Sequence, residues 1–126
     1  MQNPYAAEAA QRWGQTEAYR QSAERTARYS PQDWERIKAE AAENTAAFTQ
    51  AFVEGEPAQG ERAMDLAEAH RQHISRWFYD CPPEMHAGLG RMYVEDERFT
   101  AHYEQVAPGL AQYVSAAVQA NAARQG

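Results

Sequence analysis

From Trp34 onward the large apolar residues recur three, four or seven positions apart with polar residues between them, a spacing that predicts helices. Trp34, Ile37, Ala41, Phe48 and Phe52 form the first stripe. It opens on Ser30-Pro31-Gln32-Asp33, an N-cap serine ahead of a first-turn proline, with a carboxylate near the positive end of the helix dipole. Gly55-Glu56-Pro57 stops it. A second helix reads from about Glu61 to Phe78, with Ala63, Ala67, His70, Ile74 and Trp77 on one stripe. Asp80-Cys81-Pro82-Pro83 breaks that helix and opens a third, which carries Met85, Leu89, Met92 and Tyr93 to about Val94. A short fourth places Phe99 and Tyr103 one turn apart. Pro108-Gly109 starts a terminal helix bearing Leu110, Tyr113, Val114, Ala117 and Val118. Strand signals are weak: there is no alternating run and no Asn-Gly or Asp-Gly hairpin turn. The expected fold is a single all-α domain.

Residues 1–30 read differently. They hold Tyr5, Trp13, Tyr19 and Tyr29 but no Ile, Leu, Val or Phe, the first of which is Ile37. Helix propensity is nonetheless high, with Glu8–Arg12 and Glu24–Arg28 at i, i+4 and Thr16 placed to cap a short second helix after Gly14. A short helix is marginal in water unless something packs against it. The chain therefore divides into a conditionally ordered arm, 1–30, and a helical core, 31–126.

Composition sharpens this picture. At 126 residues the chain is one domain long. Ile, Leu and Val together number only ten, against 14 aromatics, so the core must be built from rings, Met and Ala. A net charge of −6, with one lysine (Lys38) among scattered arginines, excludes an autonomous nucleic-acid binder. No apolar run approaches the length of a membrane span, no signal-peptide pattern opens the chain, and a single cysteine excludes a disulfide framework. The expected location is cytoplasmic.

Three groups of residues carry candidate chemistry. His70 and His73 are spaced to reach one metal, but a lone pair lacks the ligand count of a site, and the chain has no Glu-x-x-His repeat to complete one. Cys81 precedes a helix start, which lowers a thiol pKa, beside Asp80, which raises it; His86 is the nearest base, with no Gly-rich oxyanion element. The alternative for Cys81 is an inert, partly buried thiol. The third group is the dense interval from His70 to Tyr103, where Trp77, Phe78, Tyr79, Met85, Met92, Tyr93 and Phe99 interleave with His86 and His102. Such a stripe lines an apolar cleft with polar handles, or is simply core; in so small a domain a pocket is cut from the core itself.

The same interval resembles the TipAS family, the thiopeptide-antibiotic recognition domains at the C-terminus of MerR-type transcription activators. The resemblance runs through His70-Arg71-Gln72-His73-Ile74, Tyr79-Asp80-Cys81, Glu84-Met85-His86, Met92-Tyr93-Val94 and Asp96-Glu97-Arg98-Phe99. It continues in Gly109-Leu110-Ala111 and Ala120-Asn121-Ala122, and upstream in Arg12-Trp13-Gly14, Thr16 to Ser22 and Asp33 to Ile37. It implies a globin-like helical fold without haem or other cofactor, a cleft for large multi-ring antibiotics, and N-terminal helices that order over the ligand. It also implies either a drug-sensing effector domain joined to a DNA-binding module or a short form that sequesters drug; no helix-turn-helix or coiled coil is present in this sequence. The family's founding member has a second cysteine seven positions after the first, used for covalent capture of dehydroalanine. Gly88 stands there in this chain, so reversible binding is expected.

The expectation is thus a non-catalytic antibiotic-binding domain. Its cleft would lie between the helices Glu61–Phe78 and Pro82–Val94, closed by residues 1–30. Trp13, Tyr19, His70, His73, Trp77, Met85, His86, Leu89, Tyr93, Phe99 and Tyr103 would line it, with Cys81 at its edge. The competing class is a small metal- or thiol-dependent helical enzyme; a haem globin is a third.

Overall fold

Ser30 closes the first turn of the long second helix in the computed structural model, which describes residues 17–125. Its hydroxyl accepts from the Asp33 amide, and the Asp33 carboxylate accepts from the Ser30 amide, a reciprocal cap. Six helices follow one another among the described residues: α1 (Glu17–Thr26), α2 (Pro31–Val53), α3 (Glu61–Trp77), α4 (Pro83–Glu95), α5 (Glu97–Glu104) and α6 (Leu110–Gln125). The described residues contain no strand, and among them no helix is long and apolar enough to cross a membrane. Asp96 serves twice, ending α4 and capping α5 by accepting from the Arg98 amide. The Glu104 carboxylate reaches across the next turn to accept from the Gly109 and Ala111 amides, supplying negative charge at the start of α6.

α6 is the central element and packs against α2, α3, α4 and α5. Leu110, Ala111, Tyr113, Val114, Ala117 and Val118 are buried along it, together with Ser115 and Asn121. A helix apolar around most of its circumference belongs in the middle. The α4–α6 contact is the most extensive, and Gly90 makes it close: a Cβ there would stand 2.9 Å from Val118 Cγ1. From α2 come Phe48 and Ala51, and from α3 come Ala63, Ala67 and Ile74. Alanine at these crossings lets backbones approach where larger side chains would hold them apart.

Two of the expected stripe positions face the other way. Ala41 is exposed, while its neighbour Glu40 turns inward to bond side chains of α3. Met85 is 37% exposed and its neighbour His86 is fully buried, so the inward stripe of α4 is His86, Leu89, Gly90, Met92 and Tyr93. In both cases a polar residue takes the inner position because a hydrogen-bonding partner waits there.

Trp13 lies outside the described residues. The part of the arm within them, α1, buries none of its residues. It docks on the C-terminal end of α3 by polar contacts: Arg25 Nη1 donates to the Ser75 carbonyl at 2.7 Å and its Nη2 pairs with Asp80 at 2.9 Å. The Asp80 amide donates to Gln21 Oε1 at 2.9 Å, and Tyr29 donates its hydroxyl to the Trp77 carbonyl. Such contacts satisfy orphan carbonyls at a helix end but contribute little net stability each, about 1 kcal/mol. The amides of α1 should therefore exchange with solvent far faster than those of α6. Hydrogen-exchange mass spectrometry checks this; equal protection of the two helices would show that α1 belongs to the same cooperative unit as the core.

Candidate functional site

The residues expected to line one cleft fall into two groups by the helix that they meet beside α3, one toward α4 and one toward α2. On the first side, a chain of rings crosses three helices. His70 on α3 meets His86 and Tyr93 on α4, with ring centroids 5.1 and 6.0 Å away. Tyr93 in turn meets Phe99 at 5.9 Å and Tyr103 at 5.4 Å, both on α5. The His70–Tyr93 contact is edge-on and the other three are tilted, with all four centroid distances in the range of favourable aromatic contact. Leu89 packs beneath them in the main core. His86, Leu89, Tyr93 and Tyr103 are buried, whereas His70 and Phe99 are half-buried. The outer rim of the chain is thus His70 and Phe99.

On the second side, His73 and Trp77 turn toward α2. His73 Nδ1 and Trp77 Nε1 both donate to Glu40 Oε1 at 2.9 Å, and Arg76 reaches Glu40 Oε2 at 3.3 Å. Burial pushes the Glu40 carboxyl up, but the hydrogen bonds from Trp77 and His73 prevail and hold it below its ordinary value. The Trp77 indole meets Tyr29 edge-on at 5.5 Å, and Tyr29 meets Trp34 at 5.9 Å. The Arg36 guanidinium lies 5.8 Å over the Trp77 ring. His70 and Trp77, seven residues apart, meet different neighbours: one faces α4, the other α2 and the linker after α1. Glu40 and Tyr29 were not expected in this region. Their signals, an acid in mid-helix and a tyrosine just before an N-cap, are common on surfaces and carry no function by themselves.

His70 and His73 likewise diverge, one bonded to His86 and the other to Glu40, so they do not converge on one ion. Among the described residues no group of three or more His, Cys, Asp or Glu side chains is placed to hold a metal. Burial, then the nearby His86 and His73, push His70 down to about 3; burial and the Arg71 guanidinium push His86 down to about 4. Both rings are neutral at neutral pH.

Cys81, expected at the edge of the cleft, is 2% exposed. It lies in the turn between α3 and α4, where its amide donates to Ser75 Oγ at 3.0 Å and its carbonyl accepts from Arg71 Nη1 at 2.8 Å. α4 starts only at Pro83, after its N-cap Pro82, so the thiol is not seated on the helix amides. Burial pushes it up to about 11, and Arg71 offsets only part of that. The thiol is protonated at neutral pH and a poor nucleophile. Arg71 is held by Glu68, at 2.6 and 2.9 Å, and Glu68 also accepts from Asn121 and Gln125 of α6. This polar network ties the Cys81 turn to the central helix. Tyr19 is half-buried on α1. A surface groove of about 410 Å³ along Ala46, Thr49, Gln50, Val53 and Val106 shares no residue with the ring chain.

Tilted and edge-on rings, with two neutral imidazoles among them, thus join α3, α4 and α5. The TipAS antibiotic-recognition domain matches residues 5–121, and the chain belongs to that family. It is 54% identical over 120 residues to the HTH-type transcriptional activator TipA of Streptomyces coelicolor, covering 95% of this chain and 47% of that protein. The chain thus spans about half the length of the relatives it matches. Among solved structures it is similar to TipAS of Streptomyces lividans in complex with nosiheptide, part of a thiopeptide antibiotic multidrug resistance system. That likeness has a TM-score of 0.88 and 54% identity, over 96% of this chain and 85% of the other. It is also similar to the antibiotic binding domain of a TipA-class multidrug resistance transcriptional regulator, with a TM-score of 0.67 and 53% identity, over 73% and 98% of the two chains.

Proposed function

We propose that this domain binds thiopeptide or similar multi-ring antibiotics without chemically altering them, as the drug-sensing half of a MerR-type activator in the cytoplasm. Its likeness over 96% of the chain to a domain solved with nosiheptide carries the reading. The ring chain from His70 to Tyr103 supplies the aromatic surface, and α1, docked beside the Cys81 turn through Arg25 and Gln21 with none of its residues fully buried, is the part of the arm best placed to close over a ligand. The ligand would enter at the half-buried rim of His70 and Phe99. The same domain without a DNA-binding module would act by sequestering drug.

Titration with nosiheptide, followed by tryptophan fluorescence, tests the reading. Saturable quenching at one ligand per chain is expected, with the antibiotic recovered unchanged; a flat titration would overturn it. The same samples decide whether capture is covalent. With Cys81 buried and its pKa raised to about 11, and with Gly88 at the family's second cysteine position, intact mass spectrometry should find no adduct after incubation with a dehydroalanine-bearing thiopeptide. A stoichiometric mass increase lost in Cys81→Ser would show that the turn opens enough to ionise the thiol.

A further inference from the structure

We infer that His70 and His86 form a tautomeric relay that lets the site offer a bound antibiotic either a hydrogen-bond donor or an acceptor. The inference rests on the antibiotic-binding reading and adds to it a means of recognising ligands of different polarity.

His70 Nδ1 and His86 Nε2 are 2.8 Å apart, so one and only one of them carries a proton. Two lone pairs at that distance would repel, and two N–H groups would collide. If His70 Nδ1 carries the proton, His86 Nε2 is the acceptor and His86 must bear its other proton on Nδ1. His70 Nε2 is then a bare acceptor. If His86 Nε2 carries the proton instead, His86 Nδ1 is bare and His70 Nε2 bears N–H. The two rings are therefore always in the same tautomer, and the inner end of the pair dictates what the outer end presents.

Most paired histidines have their tautomer fixed by a partner on the far nitrogen. Here that partner is missing: His86 Nδ1 is buried with no hydrogen bond to any described residue. His86 itself is fully buried, on the face of α4 turned to α3 and its Arg71 and Glu68, while His70 is half-buried. Neither state is pinned from inside, so the choice passes to whatever meets His70 Nε2. A ligand carbonyl or ring nitrogen selects N–H there, and a ligand amide selects the lone pair. Conversion needs a transient opening that brings water to the buried His86 Nδ1: that nitrogen then gives one proton to water, the shared proton crosses the 2.8 Å bond, and His70 Nε2 takes one proton from water. Net charge does not change, which matters because burial keeps both rings from charging, with the Arg71 guanidinium adding to it at His86. Multi-ring peptide antibiotics display ring nitrogens, carbonyls and amides in differing order, and a site of adjustable polarity accommodates them without leaving a buried group unpaired.

Ring nitrogen-15 spectra of the protein, free and saturated with nosiheptide, test the relay, because protonated and bare ring nitrogens resonate far apart. In the free protein at neutral pH both rings should be neutral and show the same tautomer balance. On saturation both should move together toward one tautomer. Unlike tautomers in the free protein would overturn the relay, as would unmoved His70 and His86 signals while tryptophan fluorescence reports full binding. Failure of nosiheptide to bind would remove the functional reading beneath the relay; the free protein's rings would still decide whether the two tautomers are matched.

Discussion

Acidifying the protein from above pH 6.5 to about pH 4 should cost it about 3 kcal/mol of unfolding free energy through His86 alone. The sign follows from burial. In the unfolded chain His86 takes up a proton as pH falls through 6.5, whereas in the folded protein it resists protonation until about 4. Between those values the unfolded state holds the extra proton, so stability present above pH 6.5 is lost as pH falls. Full burial of the ring removes solvent screening as a discount. His70, pushed down to about 3, acts in the same direction. Glu68, held well below the carboxylate range by Arg71, adds a further loss at lower pH, where its ion pair with Arg71 is protonated away. A domain stable by about 5–15 kcal/mol cannot absorb such losses without a large drop in melting temperature. Urea unfolding across this range is the measurement, and His86→Phe should make the curve shallower between pH 6.5 and 4, leaving the part that His70 contributes. A wild-type stability that is level across the window would mean that the ring finds water or a counter-charge when protonated.

Two glycines on α4 should respond to the same substitution with opposite sign. Gly90→Ala places a Cβ 2.9 Å from Val118 Cγ1, 3.1 Å from Val118 Cβ and 3.0 Å from Gln119 Nε2. None of these atoms yields easily. Val118 is fully buried and stiff at its branched Cβ, and the Gln119 amide donates to the Ala87 carbonyl at 2.7 Å. α4 and α6 must therefore separate at their largest contact, at a cost of about 1–3 kcal/mol, which outweighs the helix-propensity gain. At Gly88 a Cβ would meet only Arg91 Nη2, at 3.7 Å. Gly88→Ala should stabilise by about 0.5–1 kcal/mol, the ordinary gain from replacing glycine in a helix interior. Thermal melts of the two variants check the pair; a neutral Gly90→Ala would show that the α4–α6 crossing is looser than its geometry implies.

The helices were legible because their signals are local. Ser30-Pro31 and Pro82-Pro83 open helices where expected, and Gly55 and Gly109, at φ +80° and +91°, sit in the turns that end α2 and precede α6. The apolar stripe of α6 is buried throughout, because a helix that is apolar around most of its circumference is covered only in the middle of the fold. Most of the site's residue types were legible too, since rings and histidines concentrated between His70 and Tyr103 stand out in a chain so poor in aliphatics.

What a period cannot carry is which neighbour meets each residue. His70, His73 and Trp77 lie on one helix with nearly the same sequence signal, yet His70 bonds α4 while His73 and Trp77 bond Glu40 of α2. Met85 and His86 are adjacent, and the more apolar of the two is the one left exposed. Cys81 precedes a helix start beside Asp80, which left a reactive and an inert thiol both open; the turn folds it inward, and desolvation outweighs the guanidinium nearby. Backbone geometry is set by residues within one turn of each other, so the chain alone fixed where each helix begins and ends and most of its inward stripe, Ala41 and Met85 excepted. Hydrogen-bond partners, dielectric and proton affinity depend on groups dozens of residues apart, and only the packing of α2, α3 and α4 around α6 decided those.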